Sequence, residues 1–160
     1  MPAATAALEV LAQAGIAHVV HAYEHDPAVV GYGAEAAAAL GMDPERLFKT
    51  LVIDLGAERP ELAVAVVPVA TQLDLKHFAS VMGAKKAMLA DKALVARSTG
   101  YVLGGVSPLG QKTPLPTVID ETAQLWDTVL VSAGRRGLQV ELAPDDLAAA
   151  CAATFADIAR

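Results

Sequence analysis

The stretch FKTLVIDLGAERPELAVAVV, residues 48–67, decides the fold class. Two apolar runs rich in β-branched residues, 48–55 and 61–67, flank the segment 56–60, which contains a glycine and a proline. Runs of this length with such a boundary are typical of two strands joined by a hairpin loop. The sequence therefore predicts a hairpin of buried strands near the middle of the chain.

Helices and further strands are predicted on both sides of this hairpin, from capping residues, glycine stops and apolar patterns. The predicted helices are 3–14, 34–40, 74–82, 91–99 and 144–150, and the other predicted strands are 16–23, 117–119, 128–132, 138–142 and 155–159. Residues 100–116, rich in glycine and proline, are expected to form a long structured loop with at most one short strand. Because strands and helices alternate without a βαβ rhythm, we expect an α+β fold. A single domain over residues 1–160 would contain a mixed, partly barrel-like β-sheet surrounded by helices.

The composition predicts a cytoplasmic protein that folds without disulfides. Of its 160 residues, 54% are apolar and one is a cysteine. The amino terminus has no basic cluster typical of a secretory signal, and the most apolar segment, 62–70, is too short to cross a bilayer. We therefore expect no membrane partner, and the lone cysteine fits a reducing compartment.

The formal net charge of −6 disfavours tight, non-specific binding of nucleic acid. Basic residues are nevertheless more frequent in the second half of the chain, among them Lys85, Lys112, Arg135 and Arg136. The fold could gather them into one basic face, or they could be scattered solvated side chains. Binding of tRNA would in either case be weak without a partner.

Several common catalytic signatures are missing. Residues 105–109, GVSPL, lack the final glycine of a nucleophile elbow, and a phosphate-binding loop would need lysine at Gln111. Cys151, among alanines late in a helix, is expected to be a buried thiol. The histidines at 18, 21 and 25 do not form a ligand cluster on a strand, so no metal and no cofactor are expected.

Lys49 is the unusual residue of the predicted core strand. Burying an ammonium group costs several kcal/mol unless an anion or acceptor groups offset the loss of water. Lys49 could begin an edge strand and extend into water, or it could be a fixed cation beside a pocket. The paired glycines Gly104 and Gly105 leave two similar alternatives: a plain tight turn, or a backbone that closely approaches a ligand.

Five segments occur along the chain in an order known from one family. They are Tyr23-Glu24-His25-Asp26-Pro27, Phe48-Lys49-Thr50-Leu51, STGYVLGGVSPLGQK (98–112), VSAGRRGL (131–138) and FADIAR (155–160). Together they resemble the YbaK family of Cys-tRNA(Pro) deacylases. The resemblance covers almost the whole chain, and the glycine-rich loop is its most specific part.

The resemblance implies a mixed sheet with surrounding helices and removal of cysteine from mischarged tRNA(Pro). Prolyl-tRNA synthetase would be a partner that supplies much of the tRNA recognition. The implied catalytic set is Lys49 with the backbone of Gly104 and Gly105. The implied substrate-binding residues are Tyr23, Tyr32, Thr50, Ser107, Pro108 and Ser132, and Lys85, Lys112, Arg135 and Arg136 would contact tRNA. If the thiol of cysteine attacks its own ester, no enzyme nucleophile is required.

Three substitutions distinguish this sequence from some relatives. Position 135 is arginine where some relatives have lysine, which keeps the charge but alters the donor geometry. Position 139 is glutamine where some relatives have aspartate, so Gln139 is left out of the catalytic set. Position 32 is tyrosine where phenylalanine is expected, which keeps the aromatic ring. Three other functions remain open: a deacylase with another preference such as Ala-tRNA(Pro), a non-catalytic module that binds tRNA or a synthetase, and a small-molecule metal enzyme. Cysteine-specific deacylation would separate the first two from the main prediction.

Overall fold

The computed structural model describes residues 4–29 and 31–160. In this part of the chain it has five α-helices, eight strands and one 3₁₀ helix. The helices are α1 (Ala6–Ala14), α2 (Tyr32–Leu40), α3 (Leu75–Val81), α4 (Lys92–Thr99), α5 (Pro144–Ala150) and the 3₁₀ helix Glu121–Leu125. The strands are β1 (Val19–Ala22), β2 (Phe48–Asp54), β3 (Leu62–Pro68), β4 (Met88–Leu89), β5 (Thr117–Asp120), β6 (Val129–Arg135), β7 (Leu138–Leu142) and β8 (Thr154–Ala156). The predicted α+β class is confirmed.

The helix ends follow from local capping. Asp74 accepts a hydrogen bond from the His77 N–H at 3.0 Å at the start of α3, and Asp91 caps α4 in the same way. Gly15 ends α1 in the left-handed conformation with φ of 66°, where a residue with a Cβ would be strained. The first helix was predicted to begin at Ala3, which lies outside the described residues; the observed helix begins at Ala6.

The strands form two sheets, and the larger of them is the predicted mixed sheet. One sheet has the order β1-β7-β6 and is antiparallel, and the other has the order β4-β2-β3-β5-β8 with parallel pairing of β3, β5 and β8. A single parallel bridge between Leu47 and Leu130 joins the two sheets at one edge. The described residues contain this partial junction and no closed barrel.

β3 is buried on both of its faces, which explains its unbroken apolar sequence. Val64 and Val66 face a core shared with Val131 and Val140 of the other sheet. Ala63, Ala65 and Val67, on the opposite face, pack in a second core with the side chain of Phe78 from α3. The two sheets therefore pack face to face, and α3 covers the outer face of the larger one.

Some elements differ from the predictions. β4 and the 3₁₀ helix were not predicted, because two residues of strand and one irregular turn give no periodic signal. Residues 100–116 contain no strand. The first strand is shorter than 16–23, and β6 extends three residues beyond 132.

The short strand β4 leaves part of β2 at the edge of its sheet. β4 pairs only with Ile53 and Asp54, so the first half of β2, which begins at Phe48, has β3 as its partner on one side. Lys49 therefore lies at an open sheet edge. No described helix has the length and hydrophobicity that a membrane span requires.

Candidate active site

A cavity of about 380 Å³ lies beside the open half of β2. It is lined by the start of α2, the first half of β2, the loop around residue 104 and facing positions of β6 and β7. Its polar lining residues are Tyr32, Lys49, Thr50, Ser132 and Gln139, and its larger apolar lining residues are Leu47, Phe48, Leu51, Val69, Leu103 and Val106. None of the described lining residues carries a carboxylate or an imidazole. The cavity therefore combines one cation with neutral groups.

Lys49 supplies this cation. Its Nζ donates a hydrogen bond to the carbonyl oxygen of Thr71 at 2.8 Å, and the residue is half-buried. Burial lowers the pKa of Lys49 below its ordinary value of 10.5, because the ammonium loses part of its hydration. One of the three ammonium donors is used by Thr71, so the group can still bind an anionic oxygen of a ligand.

The opposite wall contains a cross-strand pair of polar side chains. Ser132 of β6 is directly opposite Gln139 of β7, so the two side chains share a face of the small sheet. The Ser132 hydroxyl accepts a hydrogen bond from the Gly134 N–H at 3.2 Å. In the described part of the chain, the buried Thr50 Oγ1 and Gln139 Oε1 have no hydrogen-bond partner. Buried groups of this kind are costly, and ligand sites are among the places where they persist.

Gly104 fits between two side chains at the cavity. It has φ of +88°, and a Cβ at this position would lie 3.2 Å from Cδ of Arg136 and 3.4 Å from the Tyr32 ring. The Arg136 guanidinium carbon lies 3.9 Å from the centre of that ring, a cation–π contact. Both the left-handed backbone and the lack of space require glycine here.

The structure brings together Lys49, Gly104, Tyr32, Thr50 and Ser132, as the sequence predicted, and leaves four predicted residues off the lining. The Gly105 N–H donates to the Val102 carbonyl oxygen at 2.9 Å, so it does not offer a donor to a substrate. Ser107 is fully buried, and its hydroxyl accepts from the Leu109 N–H. Pro108 lines a separate cavity of about 510 Å³.

Tyr23 is the fourth of these residues. Its backbone N–H donates to the Gly137 carbonyl oxygen at 2.9 Å, and its ring packs against the small core formed by Ala36, Ala37, Leu47 and Leu130. The structure therefore gives Tyr23 a packing role near the site, whereas the sequence predicted a contact with the substrate.

The four basic residues predicted to bind tRNA do not share one environment. Arg136 is partly buried and contacts Tyr32 and Gly104 at the cavity, and its neighbour Arg135 is exposed. Lys85 and Lys112 are exposed on other segments, after α3 and within the glycine-rich loop. Of these four residues, Arg136 is therefore the one that the described contacts connect to the cavity.

Part of the lining is not predicted by the sequence. Gln139 was set aside because of its residue type, although strand alternation opposite Ser132 would have placed it on the same face. Val69 and Gly33 gave no signal, because they meet only in the folded chain: a Cβ on Gly33 would clash with the Val69 side chain at 2.6 Å. Such close approach is a tertiary property.

Cys151 and the histidines have structural partners elsewhere. The Cys151 thiol donates to the Leu147 carbonyl oxygen at 3.0 Å, and burial raises the pKa of this thiol to about 11. A thiol with this pKa is almost entirely protonated near neutral pH, so it is a poor nucleophile. His21 and His25 bond to Glu141 and Glu35, and no cluster of three possible metal ligands occurs among the described residues.

Comparison with known proteins identifies the family. The family model of the aminoacyl-tRNA editing domain matches residues 26–150. A protein of Enterococcus faecalis named "Putative Cys-tRNA(Pro)/Cys-tRNA(Cys) deacylase EbsC" is 41% identical over 122 residues, which cover 76% of this chain and 73% of that protein.

Solved structures share the fold over nearly the full length. One is described as "a putative trans-editing enzyme for prolyl tRNA synthetase"; it has a TM-score of 0.78 and 28% identity, and the match covers 96% of this chain and 92% of that one. Another, of the hypothetical protein APE2540, has a TM-score of 0.85 and 25% identity, and the match covers 98% and 100% of the two chains.

Proposed function

The chain belongs to the YbaK-type family of aminoacyl-tRNA editing domains, and we propose that the reaction it performs is deacylation of Cys-tRNA(Pro). The observation that carries this proposal is the half-buried ammonium of Lys49 in a cavity whose described lining has no carboxylate and no imidazole. An enzyme nucleophile such as Ser132 would usually be activated by an adjacent carboxylate or imidazole base, and none of the described lining residues provides either group. The arrangement is suited to binding a substrate that carries its own nucleophile.

The substrate thiol is that nucleophile in the proposed mechanism. The sulfur of the esterified cysteine attacks its own ester carbonyl carbon, so that a C–S bond forms and a negative charge develops on the carbonyl oxygen. Collapse of this intermediate breaks the C–O bond to the terminal ribose. The ribose hydroxyl leaves with the proton that the thiol lost, and the amino acid departs as a cyclic thioester that water hydrolyses.

The protein residues position the ester and stabilise the developing oxyanion. Lys49 would donate a hydrogen bond to the oxyanion or to the terminal adenosine, since a fixed cation in a partly dry cavity is most effective where charge develops. The Gly104 backbone would approach the ribose, and Thr50 and Ser132 would shape the pocket with Tyr32. Gly105 has no part in this mechanism, because its N–H is bonded to Val102.

Prolyl-tRNA synthetase is the proposed partner of the reaction. A net charge of −6 limits the affinity for a polyanion, so tRNA would be recruited more effectively with a second protein that recognises its body. Synthesis of charged tRNA places this activity in the cytoplasm.

Deacylation of defined substrates tests the proposal. Purified protein would be mixed with Cys-, Ser-, Ala- and Pro-tRNA(Pro), with and without prolyl-tRNA synthetase. We expect release of cysteine well above spontaneous ester hydrolysis, little release of the other amino acids, and a higher rate at low enzyme concentration when the synthetase is present. Lys49→Ala should abolish most of the release, whereas Lys76→Ala, a change at an exposed lysine of α3, should not.

The outcomes separate the alternatives. Equal rates for Cys- and Ala-tRNA(Pro) would exclude thiol assistance and indicate an editing domain of another specificity. A rate equal to spontaneous hydrolysis for every substrate, unchanged in Lys49→Ala, would indicate a binding module.

A further inference from the structure

Glu35 is a partly buried carboxylate next to the cavity. It lies on α2 three residues after Tyr32, so the two side chains project from the same side of the helix. Its side chain is only 9% exposed, although acidic side chains are seldom so buried without partners. The contacts of this carboxylate therefore need an explanation.

Two of its contacts are with the segment before α2. Glu35 Oε2 accepts a hydrogen bond from the Asp26 N–H at 2.9 Å, and Oε1 lies 3.2 Å from Nδ1 of His25. The Asp26 N–H is the main reason why the pKa of Glu35 is below its usual range, so the group is ionised near neutral pH. These bonds join α2 to the segment 23–27, a family motif in which the sequence predicts no function for His25.

The third contact is with Arg136 of the β6–β7 turn. Its Nε lies 3.9 Å from Glu35 Oε1, and this buried nitrogen has no hydrogen-bond partner among the described residues. The same guanidinium stacks on the Tyr32 ring at 3.9 Å and donates to the Val29 carbonyl oxygen. A partly buried guanidinium is stabilised by a nearby anion, and Glu35 is in position to provide it.

We propose that Glu35 is a positioning residue that holds Arg136 against Tyr32 at the cavity, where the guanidinium binds a phosphate of the unpaired 3′ end of the substrate tRNA. The choice of tRNA as ligand rests on the proposed function; the contacts among the three residues do not. Arginine suits this task because its planar group can stack on a ring and bind a phosphate at its edge. Without the Glu35 carboxylate, the Arg136 side chain would gain alternative rotamers and lose this orientation.

A double-mutant cycle tests the proposal. Glu35→Gln keeps the size of the side chain and an acceptor for the Asp26 N–H but removes the charge that faces Arg136. Arg136→Met removes the guanidinium and keeps apolar volume. Both single variants, the double variant and the control Glu45→Gln, at an exposed turn carboxylate, would be assayed with Cys-tRNA(Pro) for kcat, KM and thermal unfolding.

We expect each single variant at positions 35 and 136 to raise KM about 3–10-fold with kcat within about twofold, because a phosphate contact is made equally in the ground and transition states. The double variant should match Arg136→Met alone, since Glu35 acts through Arg136. The proposal would be overturned if the increases in KM of the single variants multiplied in the double variant. It would also be overturned if kcat and Tm fell with KM unchanged, which would show that Glu35 only stabilises the structure.

A binding measurement separates failure of this proposal from failure of the proposed function. An RNA hairpin with the acceptor stem and unpaired 3′ end of tRNA(Pro) would be titrated by fluorescence anisotropy at several salt concentrations. Weaker binding by both Glu35→Gln and Arg136→Met, with a salt slope reduced by about one in Arg136→Met and no further loss in the double variant, supports the positioning role even if the wild-type protein hydrolyses nothing. Equal RNA binding by all variants would contradict it.

Discussion

Two arginine clusters in this molecule are built differently. In the first, Arg46 donates from Nε to the Thr128 carbonyl oxygen at 2.8 Å and from Nη2 to Glu141 at 2.5 Å, and its Nη1 lies 3.7 Å from the Met42 sulfur. Every guanidinium nitrogen of Arg46 has a partner. The cluster ties the segment before β2 to β6 and β7, and so joins the two sheets.

In the second cluster, Arg136 stacks on the Tyr32 ring, donates to one backbone oxygen and has the Glu35 carboxylate 3.9 Å from its Nε. This buried Nε lacks a hydrogen-bond partner in the described part of the chain. This cluster adjoins the cavity through Tyr32 and Gly104, and Lys49 lines the same cavity. Natural proteins satisfy buried polar groups wherever stability alone is at stake. The contrast supports the proposal that the cavity side keeps donors for a ligand, whereas the Arg46 cluster stabilises the fold.

Lys49→Met gives the largest expected effect on the cavity side. Removing a preorganised cation that stabilises developing charge should lower kcat for Cys-tRNA(Pro) about 10²–10³-fold. The Tm should stay the same or rise, since methionine fills a similar volume without a buried ammonium group. Single-turnover deacylation and thermal unfolding of the same preparation measure both. A drop in Tm with normal kcat would instead show that Lys49 stabilises the fold and does not take part in catalysis.

Gly104→Ala should have the next largest effect. The added Cβ meets Arg136 and the Tyr32 ring at a position with φ of +88°, so we expect a 10–100-fold loss of kcat/KM and about 1–2 kcal/mol of destabilisation. Gly41→Ala is a matched control, because Gly41 has φ of +63° and nothing within 4 Å of the added Cβ. Gly41→Ala should lose only the stability that a Cβ in the left-handed conformation costs, and its kcat/KM should be normal. If both variants lost activity equally, the contact with Arg136 would be irrelevant.

Arg46→Met tests the other side of the comparison. It removes one of the donors to the Glu141 carboxylate, which keeps Thr128 and His21, and the side-chain donor to the Thr128 carbonyl oxygen. This should cost about 1–3 kcal/mol, towards the lower end because both charged side chains are partly exposed. For a chain of this size, Tm should fall by about 2–4 °C for each kcal/mol. Deacylation at a temperature where the variant is folded should stay within about twofold of wild type. A specific loss of kcat would show that the cluster also acts on the site.

Acid sensitivity gives the smallest expected effect. Bonds from the Thr128 hydroxyl and from His21, with the charge of Arg46, hold the pKa of Glu141 below its ordinary 4.5. A lowered folded-state pKa means that this stabilisation is complete above the unfolded pKa and is lost as pH falls through the folded value. Glu141→Gln should thus lower Tm by a few degrees at pH 7 and by less near pH 3. If the difference in Tm between Glu141→Gln and wild type stayed constant between pH 3 and pH 7, the link between Glu141 ionisation and stability would be contradicted. Glu61→Gln, at an exposed position, is the control.

Local features account for what the sequence predicted about this protein. The β2–β3 hairpin, the caps Asp74 and Asp91 and the helix that begins at Pro144 were predicted close to their observed bounds. Strand alternation, side-chain caps and proline geometry act over a few neighbouring residues, so their effect can be deduced from the sequence. The family could also be identified from short motifs and their order. Lys49 was singled out because a charged residue interrupts an apolar strand.

Only the tertiary structure decided how these motifs meet. Whether Gly105 can donate to a ligand depends on its bond to Val102, and whether Gln139 reaches the cavity depends on the packing of two sheets. Arg136 binds the Val29 carbonyl across 107 residues of sequence, and no local pattern encodes such a pair. The reason is physical: burial, orientation and hydrogen-bond partners are set by segments that are distant in the chain. Residue types show which groups are available, and the fold determines which of them remain available to a substrate.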